Sequence, residues 1–201
     1  MASWRPLDLA DCDADPLVQF ARWFDEAEGM AEREAVALVT ATADGRPSAR
    51  MVLLRHRDAT SIGCYTNYES RKGHELAANP HAAILWYCEP LGRQVRFEGG
   101  VARMSDAESD AYFAARPRGH QLGAHASHQS MPQVSRADLE ARASALEAAF
   151  AGRAIGRPTN WGGYRLTPDH VEFFQQRADR LHDRVVYERA GERWRLERRD
   201  P

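Results

Sequence analysis

The sequence predicts a mainly β protein with peripheral helices, an α+β fold with an antiparallel barrel or sheet at its centre. Segments rich in β-branched and aromatic residues recur along the chain and are joined largely by short turns of the hairpin type. Helical segments lie between groups of these strands and do not alternate strictly with them, which disfavours a doubly wound α/β sheet.

The first helix is predicted to begin at Pro16. Asp15 can cap it, and a proline suits the first helical position because its missing N–H would have no partner there. Apolar side chains then recur on one face, at Leu17, Phe20, Phe24 and Ala27. Residues 1–14 are predicted to be a short flexible segment, and residues 15–201 a single domain.

A hairpin and a third strand follow. Residues 35–42 are rich in β-formers, a DGRP turn comes next, and residues 47–57 form the predicted returning strand. Residues 61–67 provide the third strand. Ser70 then caps a short predicted helix, which Pro80 ends because the residue before a proline avoids the helical conformation.

The second half of the chain continues the pattern. Two strands are predicted in HAAILWYCE and RQVRFEGGVARM, with a bulge at Gly99 and Gly100. The segment SDAESDAYFAAR is helical up to Pro117, and the clearest helix follows Ser135, which with Asp138 resembles a capping box. Its apolar stripe consists of Leu139, Ala143, Leu146 and Phe150. The closing strands are WGGYRLTPDHVEFFQQ, RLHDRVVYERA and ERWRLERR, with the WGG glycines interpreted as a strand irregularity.

Composition disfavours several classes of protein. Apolar residues make up 43% and charged residues 28% of the 201 residues, as in an ordinary globular protein, and a formal net charge of −2 disfavours a general nucleic-acid binder. Cys12, Cys64 and Cys88 are too widely spaced for a disulfide framework or a zinc signature. No apolar segment has the length of a membrane span or a signal peptide. These features predict a cytoplasmic protein with no nucleic-acid or membrane partner.

The first cluster of candidate functional residues is YESRKGHE. Arg71 and Lys72 lie in the first turn of the helix that Ser70 caps. Cations are unfavourable at this positive end of the helix dipole, whereas an anion is welcome at its exposed N–H groups. A bound phosphate therefore explains the basic pair better than a solvated surface pair does, although surface charge runs are common.

A second cluster surrounds the sequence AYFAARPRGHQ. Tyr112 and Arg116 are four residues apart and share a helix face, and His120 follows after a Pro-Arg-Gly turn. A phenol, a guanidinium and an imidazole close together suit a second phosphate. The alternative is a helix C-terminus at which basic residues are simply favourable.

The third cluster is RLHDR. In an extended strand, Arg180, His182 and Arg184 would share one face. They indicate either an anion site or a solvated edge strand whose basic residues discourage further pairing.

Other chemistries lack their usual signatures. His120, His125 and His128 have no carboxylate or thiolate partner at metal-ligand spacing, so no metal site is predicted. The sequence contains no G-x-S-x-G, P-loop or G-x-G-x-x-G, which disfavours the commonest hydrolases, nucleotide kinases and dinucleotide-binding folds.

Seven blocks of sequence carry a resemblance to a known family. In chain order they are RMVLLR (50–55), YTNYESRKGHEL (65–76), GRQVRFEG (92–99), YFAARPRGHQLGA (112–124), HQS (128–130), WGGYRL (161–166) and VEFFQQRADRLHDR (171–184). They resemble the signature blocks of the pyridoxine/pyridoxamine 5′-phosphate oxidase family from about Asp15 to Pro201. The resemblance implies a homodimer of split β-barrels, each a single FMN-binding domain, with FMN held across the subunit interface.

The resemblance also implies roles for individual residues. Contacts to FMN fall on Arg50, Met51, Val52, Leu53, Leu54, Arg55, Tyr65, Thr66, Arg71, Lys72, Gln94, Gln129, Ser130, Phe174 and Arg184. Of these, Arg71 and Lys72 hold the FMN phosphate, and Gln129 and Ser130 come from the partner subunit. Contacts to the substrate fall on Arg55, Tyr112, Arg116, His120, Arg180 and His182. Arg180 and His182, over the pyridine ring, are the implied catalytic residues.

The implied activity is an FMN-dependent oxidation in vitamin B6 metabolism. Pyridoxamine or pyridoxine 5′-phosphate loses a hydride from C4′ and becomes pyridoxal 5′-phosphate. Oxygen is the acceptor and yields hydrogen peroxide, and the amine substrate also releases ammonia. The basic residues fit this reaction, because cofactor and substrate each bring a phosphate that needs its own cationic site.

Several positions depart from the pattern of the family. Arg55 stands where Lys is usual, His120 where Ser is usual, Phe174 where Trp is usual, and Gln176 and Arg177 where a Gly-rich pair is usual. The N-terminal sequence MASWRPLDL has no match to the family's lid segment. Most of these differences affect the substrate side. Two alternatives therefore stay open: a related flavin oxidase acting on a reduced aromatic biosynthetic intermediate, and a non-catalytic flavin- or pyridoxal-phosphate-binding protein.

Overall fold

The structure is a computed structural model that describes residues 5–132 and 135–201. Its strands are β1 (Ala35–Ala41), β2 (Pro47–Leu53), β3 (His56–Arg57), β4 (Ile62–Asn67), β5 (His81–Cys88), β6 (Arg93–Arg103), β7 (Trp161–Gln175), β8 (Asp183–Ala190) and β9 (Arg193–Arg199). Its α-helices are α1 (Pro16–Glu26), α2 (Arg71–Ala78), α3 (Asp106–Ala115), α4 (Arg118–Ala126) and α5 (Arg136–Ala149). Residues 1–4 of the segment predicted to be flexible lie outside the described residues.

The strands form one antiparallel sheet with the order β2-β1-β5-β6-β7-β4-β3. Strand β7 is shared, since residues 161–166 pair with β4 and residues 170–175 pair with β8, which in turn pairs with β9. The two ends of the path are close in the chain, because β2 leads directly towards β3 and the Arg55 N–H donates to the Gly63 carbonyl at 3.0 Å. The sheet therefore curls into a barrel, which confirms the predicted mainly β class.

Helix α1 covers one end of the barrel core. The Asp15 carboxylate accepts a hydrogen bond from the Leu17 N–H at 2.7 Å, and Pro16 occupies the first helical position, as predicted. The ring of Phe20 packs edge-on against Trp86 and Phe97, with centroid distances of 5.6 and 4.9 Å. All three side chains are fully buried, and each contributes about 2 kcal/mol through apolar burial.

The predicted hairpin is confirmed, with one change. Strand β1 pairs with β2 from Ala35 opposite Leu53 to Ala41 opposite Pro47. The returning strand stops at Leu53, earlier than the predicted residue 57, and the next N–H but one, that of Arg55, already donates to the Gly63 carbonyl of β4 at 3.0 Å. This break directs the chain out of β2 and towards β4.

The glycines of β6 and β7 allow close contacts. The register of these strands shifts between Glu98 and Gly99, which confirms the predicted bulge. Gly162 and Gly163 instead pair regularly with β4, so the predicted irregularity is wrong. A Cβ at position 162 would lie 2.0 Å from the Tyr68 hydroxyl oxygen, and the absence of a side chain there lets Tyr68 pack against the strand.

The interpretation of RLHDR as an extended strand is wrong for its first three residues. Residues 178–180 form a 3₁₀ turn, in which Asp179 and Arg180 have positive φ angles of 56° and 61°. Strand β8 begins only at Asp183. Residues 180–182 therefore belong to the hairpin connection between β7 and β8. This connection contains no glycine, asparagine or proline to mark a turn, so its alternating pattern resembled a strand.

Helix α4 was not predicted. The Pro-Arg-Gly sequence suggested a turn, but Pro117 stands immediately before α4, where its fixed φ is compatible with helix initiation. Helix α5 is confirmed from Ser135 onwards, and its apolar stripe is only half-buried, so α5 is a peripheral helix packed on α4. None of the helices in the described ranges is long and apolar enough to cross a membrane.

Candidate active site

A cavity of about 880 Å³ lies between β2, β4, the first turn of α2 and the α3–α4 connection. This volume is in the upper range of small-molecule sites. Among the residues that line it are fourteen of the predicted site residues: Arg50, Met51, Val52, Leu53, Arg55, Tyr65, Thr66, Arg71, Lys72, Tyr112, Arg116, His120, Gln129 and Ser130. Leu54, between two lining residues, is instead buried in the barrel core.

Lys72 lines the cavity, is buried and is the only lysine of the chain. Its ammonium group donates to Thr66 Oγ1 at 2.9 Å, Ser70 Oγ at 3.1 Å and Gln129 Oε1 at 3.0 Å. Desolvation by burial lowers the pKa of Lys72. The resemblance assigned Gln129 to the partner subunit, whereas the structure places it in the cavity of its own chain.

Two arginines line the cavity together with Lys72. Arg71 follows the cap Ser70, whose hydroxyl accepts from the Gly73 N–H as predicted. Arg50, on β2, donates to Ser48 Oγ at 2.5 Å and to Thr40 Oγ1 at 2.6 Å. Three cations therefore converge beside the N-terminus of α2, an arrangement suited to an anion of high charge.

Sequence reasoning missed Glu75, which lies beneath these arginines. Burial alone would raise the pKa of its carboxyl group, but hydrogen bonds from Ser48, Thr40 and Arg71 outweigh burial and lower the pKa from 4.5 to about 2. The carboxylate therefore stays ionised at neutral pH. In the sequence it follows a histidine in a short helix, where it resembles an ordinary surface residue.

The Glu75→Gln variant should lose stability in a pH-dependent way. Because the folded pKa is depressed, the carboxylate contributes stability above about pH 4.5 that is lost as the pH falls through about 2. The stability deficit of Glu75→Gln relative to the wild type is therefore expected to be larger at pH 7 than at pH 3. Urea unfolding at the two pH values measures it, and an equal deficit at both would contradict the prediction. Glu69→Gln, at an exposed carboxylate, is the control and should change stability little.

Another part of the cavity lining is aromatic. Tyr65 and Tyr112 stack with their ring centroids 3.8 Å apart, and Trp161 continues the stack 5.7 Å from Tyr65. The guanidinium carbon of Arg116 lies 4.6 Å from the centroid of Trp161. Sequence reasoning missed Trp161 as a site residue, although the WGG motif marked its position.

Arg116 lines the cavity beside this aromatic stack, and one of its hydrogen-bond donors has no acceptor among the described residues. Its Nη1 atom is buried and has no hydrogen-bond partner among the described residues. Desolvation lowers the pKa of Arg116, while the neighbouring Tyr112 opposes the shift. A buried, unpaired guanidinium donor costs free energy unless a ligand satisfies it, so this atom indicates an anion subsite.

Arg55 and His120 also line the cavity. Arg55 forms an ion pair with Glu34, a carboxylate that sequence reasoning had not connected with the site. The side chains of Arg55 and Glu34 are 34% and 39% exposed, so the ion pair is weak and a ligand can compete for Arg55. His120 is exposed.

The remaining predicted residues form a second cluster, on strands β6 to β8 and in the connection between β7 and β8. Gln94 lies opposite Phe174, and Phe174 lies opposite Arg184. The ring of His182 is 4.8 Å from that of Phe174. None of these four residues, nor Arg180, lines the cavity described above in its own chain.

Hydrogen bonds to the Glu172 carboxylate and from the Arg177 backbone N–H order this second cluster. Arg184 makes two hydrogen bonds to Glu172, at 2.8 and 3.0 Å, and Glu172 also accepts from Arg96 at 2.9 Å. The Arg177 N–H donates to His182 Nδ1 at 3.1 Å. A neutral His182 ring therefore carries its proton on Nε2.

Sequence profiles of known families match most of the chain. The profile described as "Pyridoxamine 5′-phosphate oxidase" matches residues 25–150. The profile described as "Pyridoxine 5′-phosphate oxidase C-terminal dimerisation region" matches residues 161–201. The second match, which includes β7 to β9 and the second cluster apart from Gln94, supports the formation of a homodimer.

Two curated relatives are similar over nearly their whole length. A pyridoxine/pyridoxamine 5′-phosphate oxidase of Rubrobacter xylanophilus is 54% identical over 191 residues, covering 94% of this chain and 88% of the relative. A second pyridoxine/pyridoxamine 5′-phosphate oxidase, from Burkholderia vietnamiensis, is 51% identical over 200 residues, covering 97% of this chain and 93% of the relative. The oxidase names of these relatives support an oxidoreductase.

Two solved structures share the fold. PhzG from Burkholderia lata 383, in complex with tetrahydrophenazine-1-carboxylic acid, aligns with a TM-score of 0.93, 34% identity and full coverage of both chains. A pyridoxamine 5′-phosphate oxidase-related, FMN-binding protein from Nostoc punctiforme PCC 73102 aligns with a TM-score of 0.71 at 19% identity, covering 90% of this chain and 95% of its own. The second likeness concerns the fold alone. With its split-barrel fold and both family profiles matched, the chain belongs to the pyridoxine/pyridoxamine 5′-phosphate oxidase family.

Proposed function

We propose that the protein is a cytoplasmic FMN-dependent oxidase that converts pyridoxamine or pyridoxine 5′-phosphate into pyridoxal 5′-phosphate. Oxygen is the acceptor, and the products include hydrogen peroxide and, from the amine, ammonia. The observation that carries this proposal is a cavity lined by two groups of cationic side chains, with an aromatic stack beside one of them. A phosphorylated cofactor and a phosphorylated aromatic substrate require such a pair of sites.

The donor set beside α2 fits the phosphate of FMN. A phosphate monoester carries a charge of roughly −1.5 to −2 at neutral pH and accepts several hydrogen bonds. Arg50, Arg71 and Lys72 supply the positive charge, and the N-terminus of α2 adds the positive end of the helix dipole. We assign these residues to the cofactor phosphate, with Thr66 and Gln129 fixing the ammonium group of Lys72.

The aromatic end suits the substrate. Its pyridine ring is planar, and the Tyr65–Tyr112 stack provides a flat apolar surface beside the cavity. The unpaired Nη1 of Arg116 provides a donor for the substrate phosphate, with the Tyr112 hydroxyl, Arg55 and His120 nearby in the lining. We assign these four residues to substrate binding.

The second cluster is proposed to complete the site across the dimer. Residues Gln94, Phe174, Arg180, His182 and Arg184 do not line the cavity of their own chain, and all lie in or next to the matched dimerisation region or its sheet neighbour β6. We propose that they reach the cavity of the partner subunit, so that FMN lies at the interface. In this proposal residues 15–201 form one FMN-binding domain.

The chemistry that bound FMN supplies is a two-electron oxidation at C4′ of the substrate, with oxygen as the final acceptor. The chain's own residues bind and orient the substrate. Since the Arg177 N–H occupies His182 Nδ1, the neutral ring presents an Nε2–H donor and cannot accept a proton there. His182 therefore acts by donating a hydrogen bond that positions the substrate, and Arg180 supplies positive charge beside it.

The His182→Ala variant tests this role. We expect turnover of the phosphorylated substrate to fall about 30-fold, the effect of losing one strong hydrogen bond, while FMN stays bound. Steady-state kinetics and the flavin absorption of the purified variant measure the two quantities. His81→Ala, at an exposed histidine of β5, is the matched control and should leave both unchanged. Full activity and substrate affinity in His182→Ala would remove His182 from the site.

A second candidate function is the oxidation of a reduced aromatic intermediate. PhzG, which shares the fold over its full length, is solved with tetrahydrophenazine-1-carboxylic acid. In the present chain, Glu34 pairs with Arg55 and so reduces the positive charge available at the substrate end. A ligand with a single negative charge, such as a carboxylate, also suits this reduced charge.

The anaerobic half-reaction decides among the candidates. The purified protein is reconstituted with FMN, freed of oxygen and mixed with pyridoxamine 5′-phosphate, with pyridoxine 5′-phosphate or with a reduced aromatic carboxylate. Bleaching of the flavin absorption by the B6 compounds is expected. Bleaching by the carboxylate alone would favour the second candidate. FMN binding without bleaching by any of them would indicate a non-catalytic binding protein, and failure to bind FMN would exclude each oxidase.

A further inference from the structure

The carboxylate of Glu75 has no place in the proposed reaction, yet it is buried next to the cavity. The residue is 5% exposed and belongs to the second turn of α2. It does not line the cavity, whereas Arg50 and Arg71 do. The carboxylate therefore lies behind the two arginines that the proposed function assigns to the cofactor phosphate.

Both carboxylate oxygens of Glu75 accept hydrogen bonds from residues of this site. Oε1 accepts from Arg71 Nε at 2.8 Å. Oε2 accepts from Ser48 Oγ at 2.6 Å, from Thr40 Oγ1 at 2.5 Å and, at 3.3 Å, from Arg50 Nη2. The hydroxyls of Thr40 and Ser48 in turn accept from Arg50, so one carboxylate fixes an arginine on α2 and an arginine on β2.

The geometry at Arg71 is selective. Its side chain is 62% exposed, and among the residues that the structure describes it is held through Nε alone. Both of its terminal NH₂ groups are therefore available to a ligand. Without an acceptor at Nε, such a long and exposed side chain would sample many rotamers and spend little time at the cavity.

We propose that Glu75 is a positioning residue that holds Arg50 and Arg71 in place for the phosphate of FMN; this inference rests on the proposed function. It also sets the charge of the site. Arg50, Arg71 and Lys72 are three cations, and the single carboxylate leaves a net charge of +2, which matches a phosphate dianion.

Two other roles for Glu75 predict different results. If Glu75 acted only through its charge, its removal would make the site more positive and strengthen the binding of FMN. If it only stabilised the packing of α2 on β1 and β2, its removal would weaken every flavin ligand alike. Positioning predicts weaker binding of the phosphorylated ligand only.

The test compares FMN with riboflavin, which lacks the phosphate. Dissociation constants for both ligands are measured by quenching of flavin fluorescence with the full-length wild type, Glu75→Ala and Glu75→Gln. The riboflavin-to-FMN ratio of dissociation constants is expected to fall about tenfold in Glu75→Ala and less in Glu75→Gln, which keeps the shape and one acceptor. Riboflavin binding should change less than about twofold, within the effect of a neutral substitution. Glu69→Ala, at an exposed carboxylate just before the cap, is the control and should leave the ratio unchanged.

A double-mutant cycle identifies the route of the effect. If Glu75 acts through Arg71, the combined loss of FMN affinity in Glu75→Ala/Arg71→Ala will be smaller than the product of the single losses. Three results overturn the positioning role while the wild type still prefers FMN. They are a combined loss equal to the product of the single losses, an unchanged riboflavin-to-FMN ratio in Glu75→Ala, and tighter FMN binding by Glu75→Ala. A wild type with no preference for FMN over riboflavin overturns the proposed function together with this inference.

Discussion

Arg116→Ala is expected to lower kcat/KM for the phosphorylated substrate by about 10³-fold, or ~4 kcal/mol, with FMN binding unchanged. The guanidinium group rests on Trp161, and its buried Nη1 has no partner among the described residues. A substrate phosphate that pairs with this group gains a desolvated, charge-assisted hydrogen bond. Steady-state kinetics and a flavin titration of the same preparation measure the two effects.

The stability of Arg116→Ala should move in the opposite direction from its activity. Removing an unpaired, partly desolvated cation relieves a cost in the ligand-free protein, so the Tm is expected to stay equal or rise. Arg118→Ala is the matched control. Arg118 donates to Glu147 and to the carbonyls of Phe150 and Arg153 at about 3 Å, so its loss should reduce stability and spare activity. If Arg116→Ala kept the wild-type kcat/KM for the phosphorylated substrate, the substrate anion would bind elsewhere.

Lys72→Met is expected to raise the dissociation constant of FMN by about 10³-fold, since the variant loses the buried cation of the phosphate site. The methionine keeps much of the apolar stem and removes only the ammonium group, which three oxygens hold in place. Fluorescence titration with FMN measures the change. Riboflavin should bind the variant and the wild type with similar affinity, because it carries no phosphate.

A control for Lys72→Met is available in the same helix. His74 is exposed one turn away from the cap, and His74→Met should leave FMN affinity within about twofold of the wild type. Lys72→Arg should retain part of the affinity, because it keeps the charge but not the compact shape of the ammonium group. Equal losses for FMN and riboflavin in Lys72→Met would indicate a folding defect and contradict the phosphate assignment.

The features that could be predicted from the sequence depend on local physics. The Asp15–Pro16 helix start, the Ser70 cap and the β1–β2 hairpin each follow from residue types within a few positions of one another, and the structure contains all three. The cationic first turn of α2 was likewise recognisable, since basic residues there oppose the helix dipole. Such signals need no knowledge of the rest of the chain.

The features that could not be predicted depend on contacts between distant segments. Glu75 is a positioning candidate only because β1 and β2 bring hydroxyls and Arg50 to it. Trp161 enters the site through stacking with Tyr65, on the neighbouring strand but 96 positions earlier in the chain. The left-handed turn before His182 had no glycine to mark it. In the first two cases the decisive partner is remote in sequence.

The presence of a single lysine has a consequence for product release. Aldehydes react with lysine amines to form Schiff bases, whereas a guanidinium stays protonated and does not react in this way. An aldehyde leaving the cavity would pass Arg55 and Arg116, and the chain's one ε-amine is buried and hydrogen-bonded to three oxygens. Apart from Lys72 in the cavity and the N-terminal amine, the chain has no aliphatic amine that a released carbonyl compound could label.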